Sequence, residues 1–136
     1  MRLKSLKGKL IGSGGRRKVY EHQKIPGLVI KEQYRKHKDY NRREYEVYQI
    51  LKEHHPELLD WVVPIVEISD CGLYLVQERG EHCYNSDVPK ERDVPRLLRV
   101  DCSGNKNWVM HKGKPKLCDF DHGQLKLLRD YHKMLR

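Results

Sequence analysis

The sequence predicts an α+β fold, and three observations predict it. Five short strand-like runs, bounded by Gly, Pro and Asp turn residues, fall within residues 6–80. One stretch with helical spacing, residues 36–53, interrupts them after the third run. Beyond residue 81 a polar segment leads to a second, smaller hairpin and an amphipathic tail. At 136 residues the chain suits one domain with one modest core, spanning 1–136.

Each element has its own local reason. "LKGKLI" (6–11) and "RKVYEH" (17–22) read as strands on either side of the glycine-rich "GSGG", Gly12 to Gly15. "LVIKEQY" (28–34) is a third strand, entered through the turn "QKIPG". With that turn centred near Ile25, Val19 stands opposite Lys31, and directly opposed residues share a sheet face. The helix at 36–53 has Asp39 or Asn41 available as its cap and is ended by Pro56. Its apolar stripe runs through Tyr40, Val47, Tyr48 and Leu51, and Glu44 occupies a position on that same stripe. A carboxylate on the inward face needs a partner. Lys31, projecting from the sheet that the helix should cover, is the cation expected to supply it.

"PIVEIS" and "LYLVQERG" form a hairpin around "DCG", Asp70 to Gly72. Residues 81–96, with Pro89 and Pro95, read as a linker or short irregular segment. "NWVMH" and "KPKLCDFD" flank "KGK" as the second hairpin. The tail carries Leu125, Leu128, His132 and Leu135 at helical spacing. Trp61 and Trp108 are expected in the core, and His22, His37, His54 and His55 on the surface.

Bulk properties narrow the function. Charged residues make up 35% and hydrophobic ones 38%, which is polar without being a disordered composition. No apolar run approaches the ~20 residues of a membrane span, so no membrane partner is expected. "MRLKSLKGKL" lacks the apolar stretch of a secretory signal. The 4 cysteines include no C-x-x-C pair, which argues against structural zinc and for reduced thiols in a cytoplasmic protein. A net charge of +9 favours polyanionic partners, nucleotides or nucleic acid. Nucleic acid ranks below nucleotide, because the basic residues are spread along the chain rather than clustered.

The order of parts resembles the protein-kinase-like fold. The kinase glycine loop reads G-x-G-x-x-G-x-V; here Gly12, Gly14 and Val19 match it, and Arg17 stands at the third glycine. Leu28-Val29-Ile30-Lys31 resembles the V-A-I-K strand, and "LYLVQERG" the strand leading to the hinge. Asn107 resembles the catalytic-loop asparagine, and Asp119-Phe120-Asp121 resembles D-F-G with its glycine replaced. Within kinase-like proteins, "IGSGGRRKVYEH", "RREYEVYQIL" and "DWVVPIV" are similar to the small PhoP regulatory network family called YrbL.

The resemblance implies a five-stranded antiparallel N-lobe sheet with one long helix (1–80). Residues 81–136 would supply the hinge, catalytic-loop hairpin and terminal helix of a strongly truncated C-lobe. It implies ATP and Mg²⁺ as cofactors. Gly12, Ser13, Gly14 and Gly15 would cradle phosphates with their backbone N–H groups. Lys31, held by Glu44, would clamp the α- and β-phosphates. Val19 and Val29 would pack on the adenine, and the backbone from Glu78 to Gly80 would bond its edge. Asn107 and Asp119, joined by Asp121, would be hard oxygen ligands for Mg²⁺.

Two departures qualify that picture. Asp101, the expected catalytic base, lies six residues before Asn107 instead of five, and no histidine precedes it. Only residues 122–136 follow Asp121, which leaves little of a substrate-carrying lobe. The open apolar underside this implies predicts a homodimer or a protein partner. Three functions are compatible with these residues. They are a minimal kinase-like phosphotransferase acting on a protein substrate, an inactive pseudokinase that regulates a partner protein, and a basic nucleic-acid binder.

Overall fold

The computed structural model describes residues 2–36, 38–100, 102–120 and 122–134. Of the sequence expectations, those on His37, Asp101, Asp121 and Leu135 lie outside the described residues. The chain is a mixed α+β structure built on a five-stranded antiparallel sheet. Helix α1 (Arg2–Ser5) precedes strands β1 (Lys7–Ser13), β2 (Arg17–His22) and β3 (Leu28–Gln33). Helix α2 (Tyr40–His54) and a 3-10 turn (Pro56–Trp61) lead to β4 (Ile65–Ile68) and β5 (Tyr74–Glu78). The strand order is β1-β2-β3-β5-β4. Strands β6 (Glu81–His82), β7 (Trp108–His111) and β8 (Lys114–Leu117) make a second sheet, and α3 (His122–Met134) follows.

The predicted register holds: Val19 stands opposite Lys31 between β2 and β3. The glycine-rich segment differs from its expectation. β1 continues through Ser13, so Gly12 and Ser13 are strand residues paired with Val19 and Lys18. The turn itself is Gly14 to Arg16, closed by the Gly14 N–H donating to the Arg17 carbonyl at 2.9 Å. In the turn between β4 and β5, Gly72 takes φ +78, a conformation that costs an L side chain energy, and this lets its N–H reach the Ser69 carbonyl.

The helix starts at Tyr40, four residues later than its spacing predicts. The cause is Gln33, a buried residue seven places before it. The Gln33 amide donates to the carbonyls of Arg35 and Lys38, which keeps those residues out of the helix. Its oxygen accepts the Asn41 N–H at 3.0 Å, the capping bond that Asp39 does not make. Asn41 is therefore no cap but a fully buried member of the inward stripe with Glu44, Val47, Tyr48 and Leu51.

Two apolar clusters sit on opposite faces of the large sheet. Ile30, Tyr74 and Val76 pack under Leu3 of α1. On the other side Leu75, Val47, Leu51 and Ile65 join Trp108, Leu117, Phe120, Leu125 and Leu128. The second sheet is tied to the first through Leu117, whose carbonyl accepts the Val63 N–H at 2.9 Å. Gly80, between the sheets, lies so close to Val109 that a Cβ at this position would overlap its side chain.

Three further expectations are corrected. The segment after residue 81 is not merely a linker: Cys83, Val94 and Leu98 are buried in the main core. The described leucines on the apolar face of the terminal helix are not left open: Leu125 and Leu128 are buried, and Arg129 pairs with Glu46 of α2 at 2.7 Å. His55 is not a surface residue but is buried with its Nε2 2.9 Å from Nε2 of His132. Trp108 is in the core as expected, with Trp61 packed edge-on against it. No helix among the described residues is long and apolar enough to cross a membrane.

Candidate functional site

A cleft of about 970 Å³ opens between the two sheets. Gly12, Ser13, Gly14, Gly15 and Val19 line one side, Val29 and Lys31 the back, and Asn107 and Asp119 the opposite side. Gln77, Glu78 and Gly80 line the wall where the sheets join. Most site residues chosen from the sequence thus meet at one place. Among the described site residues Glu44 is the exception: it does not line the cleft but stands behind Lys31, fully buried.

Alternation within β3 puts Lys31 on the cleft face, where it is only 5% exposed. Its ammonium carries three N–H donors. They meet Glu44 Oε1 at 3.0 Å, Asp119 Oδ1 at 3.2 Å and the Cys118 carbonyl at 2.5 Å. The expected Lys31–Glu44 pair is therefore present, and Asp119 joins it. Asn107 is brought beside Asp119 by the second hairpin, where the Cys118 N–H donates to the Asn107 carbonyl at 2.9 Å.

Arg17 completes the arrangement. Its Nη1 faces Glu44 Oε2 and donates to Asn41 Oδ1 at 3.2 Å, while Nη2 donates to Asp119 Oδ1 at 2.5 Å. Two cations and two carboxylates thus form a closed quartet with no net charge. Asn41 anchors it: the Asn41 amide donates to the carbonyls of Lys31 and Leu73 at 3.1 and 2.8 Å. Sequence reasoning marked Arg17 only as a departure from a glycine. The signal was available, since Arg17 lies two residues before Val19 on the same strand and so shares its face.

The quartet sets its own protonation. Burial pushes the Lys31 ammonium down, but Asp119 and Glu44 outweigh it and hold the value above normal. Burial likewise opposes the charge on Arg17, and Glu44 and Asp119 raise it above its usual value. Burial pushes Asp119 up, and the nearby Lys31 and Arg17 bring it below the ordinary carboxylate range. Glu44 goes the other way: complete burial raises its carboxyl in spite of Arg17 and Lys31. Burial and the Asp119 charge push the Cys118 thiol up to about 12, so it is no nucleophile at neutral pH.

The junction between the sheets limits which backbone donors could face a ligand. The Glu78 N–H donates to the Pro64 carbonyl at 3.0 Å, and the Arg79 N–H to the Gly27 carbonyl at 2.8 Å. Those two donors are committed within the chain and not offered to a ligand. The Glu78 carboxylate bonds His111 Nε2 at 2.8 Å. Five basic residues from distant parts of the sequence meet here: Arg16, Arg17, Lys31, Arg79 and Lys106 line the cleft against Glu78 and Asp119. Such a lining favours anionic ligands.

Neither a scan against protein-family models nor a search of curated proteins finds a match to this chain.

Proposed function

We propose that this protein is a minimal protein-kinase-like protein, similar to the YrbL family, that binds ATP with Mg²⁺ in the cleft. The observation that carries this reading is the meeting of Lys31, Glu44 and Asp119 at the back of a cleft roofed by the glycine turn. In that role Val19 and Val29 pack on the base, and Gly15 brings its backbone N–H near phosphate oxygens, while the Gly14 N–H is held by the Arg17 carbonyl and only shapes the turn. Nothing within 4 Å would meet a Cβ at either glycine, so their side of the turn is open to a ligand. Lys31 supplies a point charge to the α- and β-phosphates, and Glu44 fixes its position.

The donor set fits Mg²⁺. Asn107 and Asp119 are oxygen ligands facing one cleft, and Mg²⁺ takes one or two such ligands alongside substrate phosphates. Asp119 keeps 34% of its side chain exposed, the open part from which a metal would be held. When bound, Mg²⁺ would neutralise charge on the phosphate chain.

Transfer of the terminal phosphoryl group to a protein serine or threonine is the chemistry such a cleft serves. A non-catalytic regulator on the same cleft is favoured by one observation: Asp119 is already neutralised by two cations. Calorimetric titration with ATP, with and without Mg²⁺, separates the outcomes when paired with radiolabelled ATP on wild type, Lys31→Ala and Asp119→Ala. Binding with label transfer lost in both variants supports the enzyme. Binding with no transfer in any of the three supports the regulator. Absence of binding by the wild type defeats both.

A further inference from the structure

We infer that Arg17 is a phosphate-operated latch on Asp119. It holds the carboxylate while the cleft lacks a polyphosphate and passes to the phosphate chain when one enters. A divalent cation is then accepted only together with the polyphosphate. This inference rests on the nucleotide reading and deepens it.

The geometry of Arg17 is divided. Its backbone is fixed, paired with Gln33 in the β2–β3 ladder and bonded through its carbonyl to the Gly14 N–H at 2.9 Å. One arm of its guanidinium is turned inward, where Nη1 meets the fully buried Glu44 and donates to Asn41. The other arm, Nη2, lies on Asp119, the only member of the quartet more than a third exposed on the cleft side. Nη1 can therefore act as a pivot while Nη2 exchanges one anion for another. Arginine suits this exchange, because its planar fork serves two anions at once and holds its charge throughout.

Charge explains why the exchange needs phosphate. A lone divalent cation on Asp119 would sit beside Arg17 and Lys31, whose nitrogens lie 2.5 and 3.2 Å from the same carboxylate oxygen. Arg16, Arg79 and Lys106 add to the repulsion. A polyphosphate reverses the sign of the cleft and gives Nη2 an anion at least as strong as the carboxylate it leaves. The carboxylate is then released toward the metal that arrives with the phosphates.

The test uses Mn²⁺ as the metal probe, followed by electron paramagnetic resonance. ATP and adenosine binding are followed by calorimetry, on wild type, Arg17→Gln and Arg17→Lys. The wild type should take Mn²⁺ only with ATP present. Arg17→Gln should bind Mn²⁺ alone at least about tenfold more tightly than wild type and lose about tenfold in ATP affinity, with adenosine affinity unchanged. If Arg17→Gln shows no cooperative thermal transition, Arg17→Lys carries the same test. Its ammonium keeps a charge against Glu44 but has no second arm for Asp119. If the wild type binds ATP but a folded Arg17 variant takes Mn²⁺ alone no better, the latch is wrong and the nucleotide reading stands. If the wild type binds neither ATP nor adenosine, the nucleotide reading itself fails.

Discussion

Adjacent residues of one strand show two ways of filling a protein interior. Ile30 points to the α1 side of the large sheet and is fully buried among Leu3, Tyr74 and Val76. Lys31 points to the other side and is almost as buried, among Glu44, Asp119 and Arg17. On the first face stability comes from apolar area and close packing, and a similar side chain of similar volume is tolerated. On the second face nothing is interchangeable. Each charge is affordable only while its partners stay, because an isolated charge inside the protein has lost its water without compensation. The apolar face can therefore drift in sequence while the charged face is fixed by mutual need, and the fixed face borders the cleft.

Removing one charge should give the largest effect. Glu44→Ala leaves Lys31 and Arg17 buried with Asp119 alone between them, and should cost about 3–5 kcal/mol in urea denaturation. A loss under about 1 kcal/mol would reduce the quartet to the worth of a surface pair. Ile30→Ala, on the opposite face, should cost about 2–3 kcal/mol. That is the lower part of the range for such a deletion, because α1 has only 4 residues and can settle into the space. If Ile30→Ala proves the more damaging, the comparison between the faces is reversed.

The pH dependence sharpens the same contrast. Asp119 has its carboxyl held below the ordinary range, so its contribution is present above that range and lost as pH falls through the lowered value. The urea midpoint of the wild type should therefore drop on acidification below about pH 4, and Asp119→Asn should show a shallower drop over that interval. Parallel curves would mean that Asp119 adds nothing through its charge. The smallest effect belongs to Lys7, which pairs with Glu32 at 3.2 Å and lies over the Tyr20 ring. Lys7→Ala should cost about 1 kcal/mol or less, and added salt should shrink the difference from wild type.

The part of the site that could be read from sequence rested on short-range periodicity. Period two on β2 and β3 aligned Val19 with Lys31, and period 3.6 on α2 turned Glu44 inward. Both rules are local, and the pair they predict is separated by only 13 residues. The helix start was misplaced because its cap comes from Gln33, seven residues before Tyr40, and not from the Asp39 beside it. The terminal helix was expected to leave apolar surface open, since no local pattern shows that Leu125 and Leu128 would find the main core.

The amino-acid order by itself determined the five runs of the large sheet, the Val19–Lys31 register and the inward glutamate, because each follows from alternation or turn chemistry within a few residues. Only the tertiary structure decided that Arg17 closes the network on Asp119, 102 residues away. The same is true of the five basic side chains that a dispersed sequence gathers at one cleft. The physical reason is that buried charges are paired by whichever opposite charge the packing brings within reach. That choice depends on how whole sheets meet, which no local period encodes.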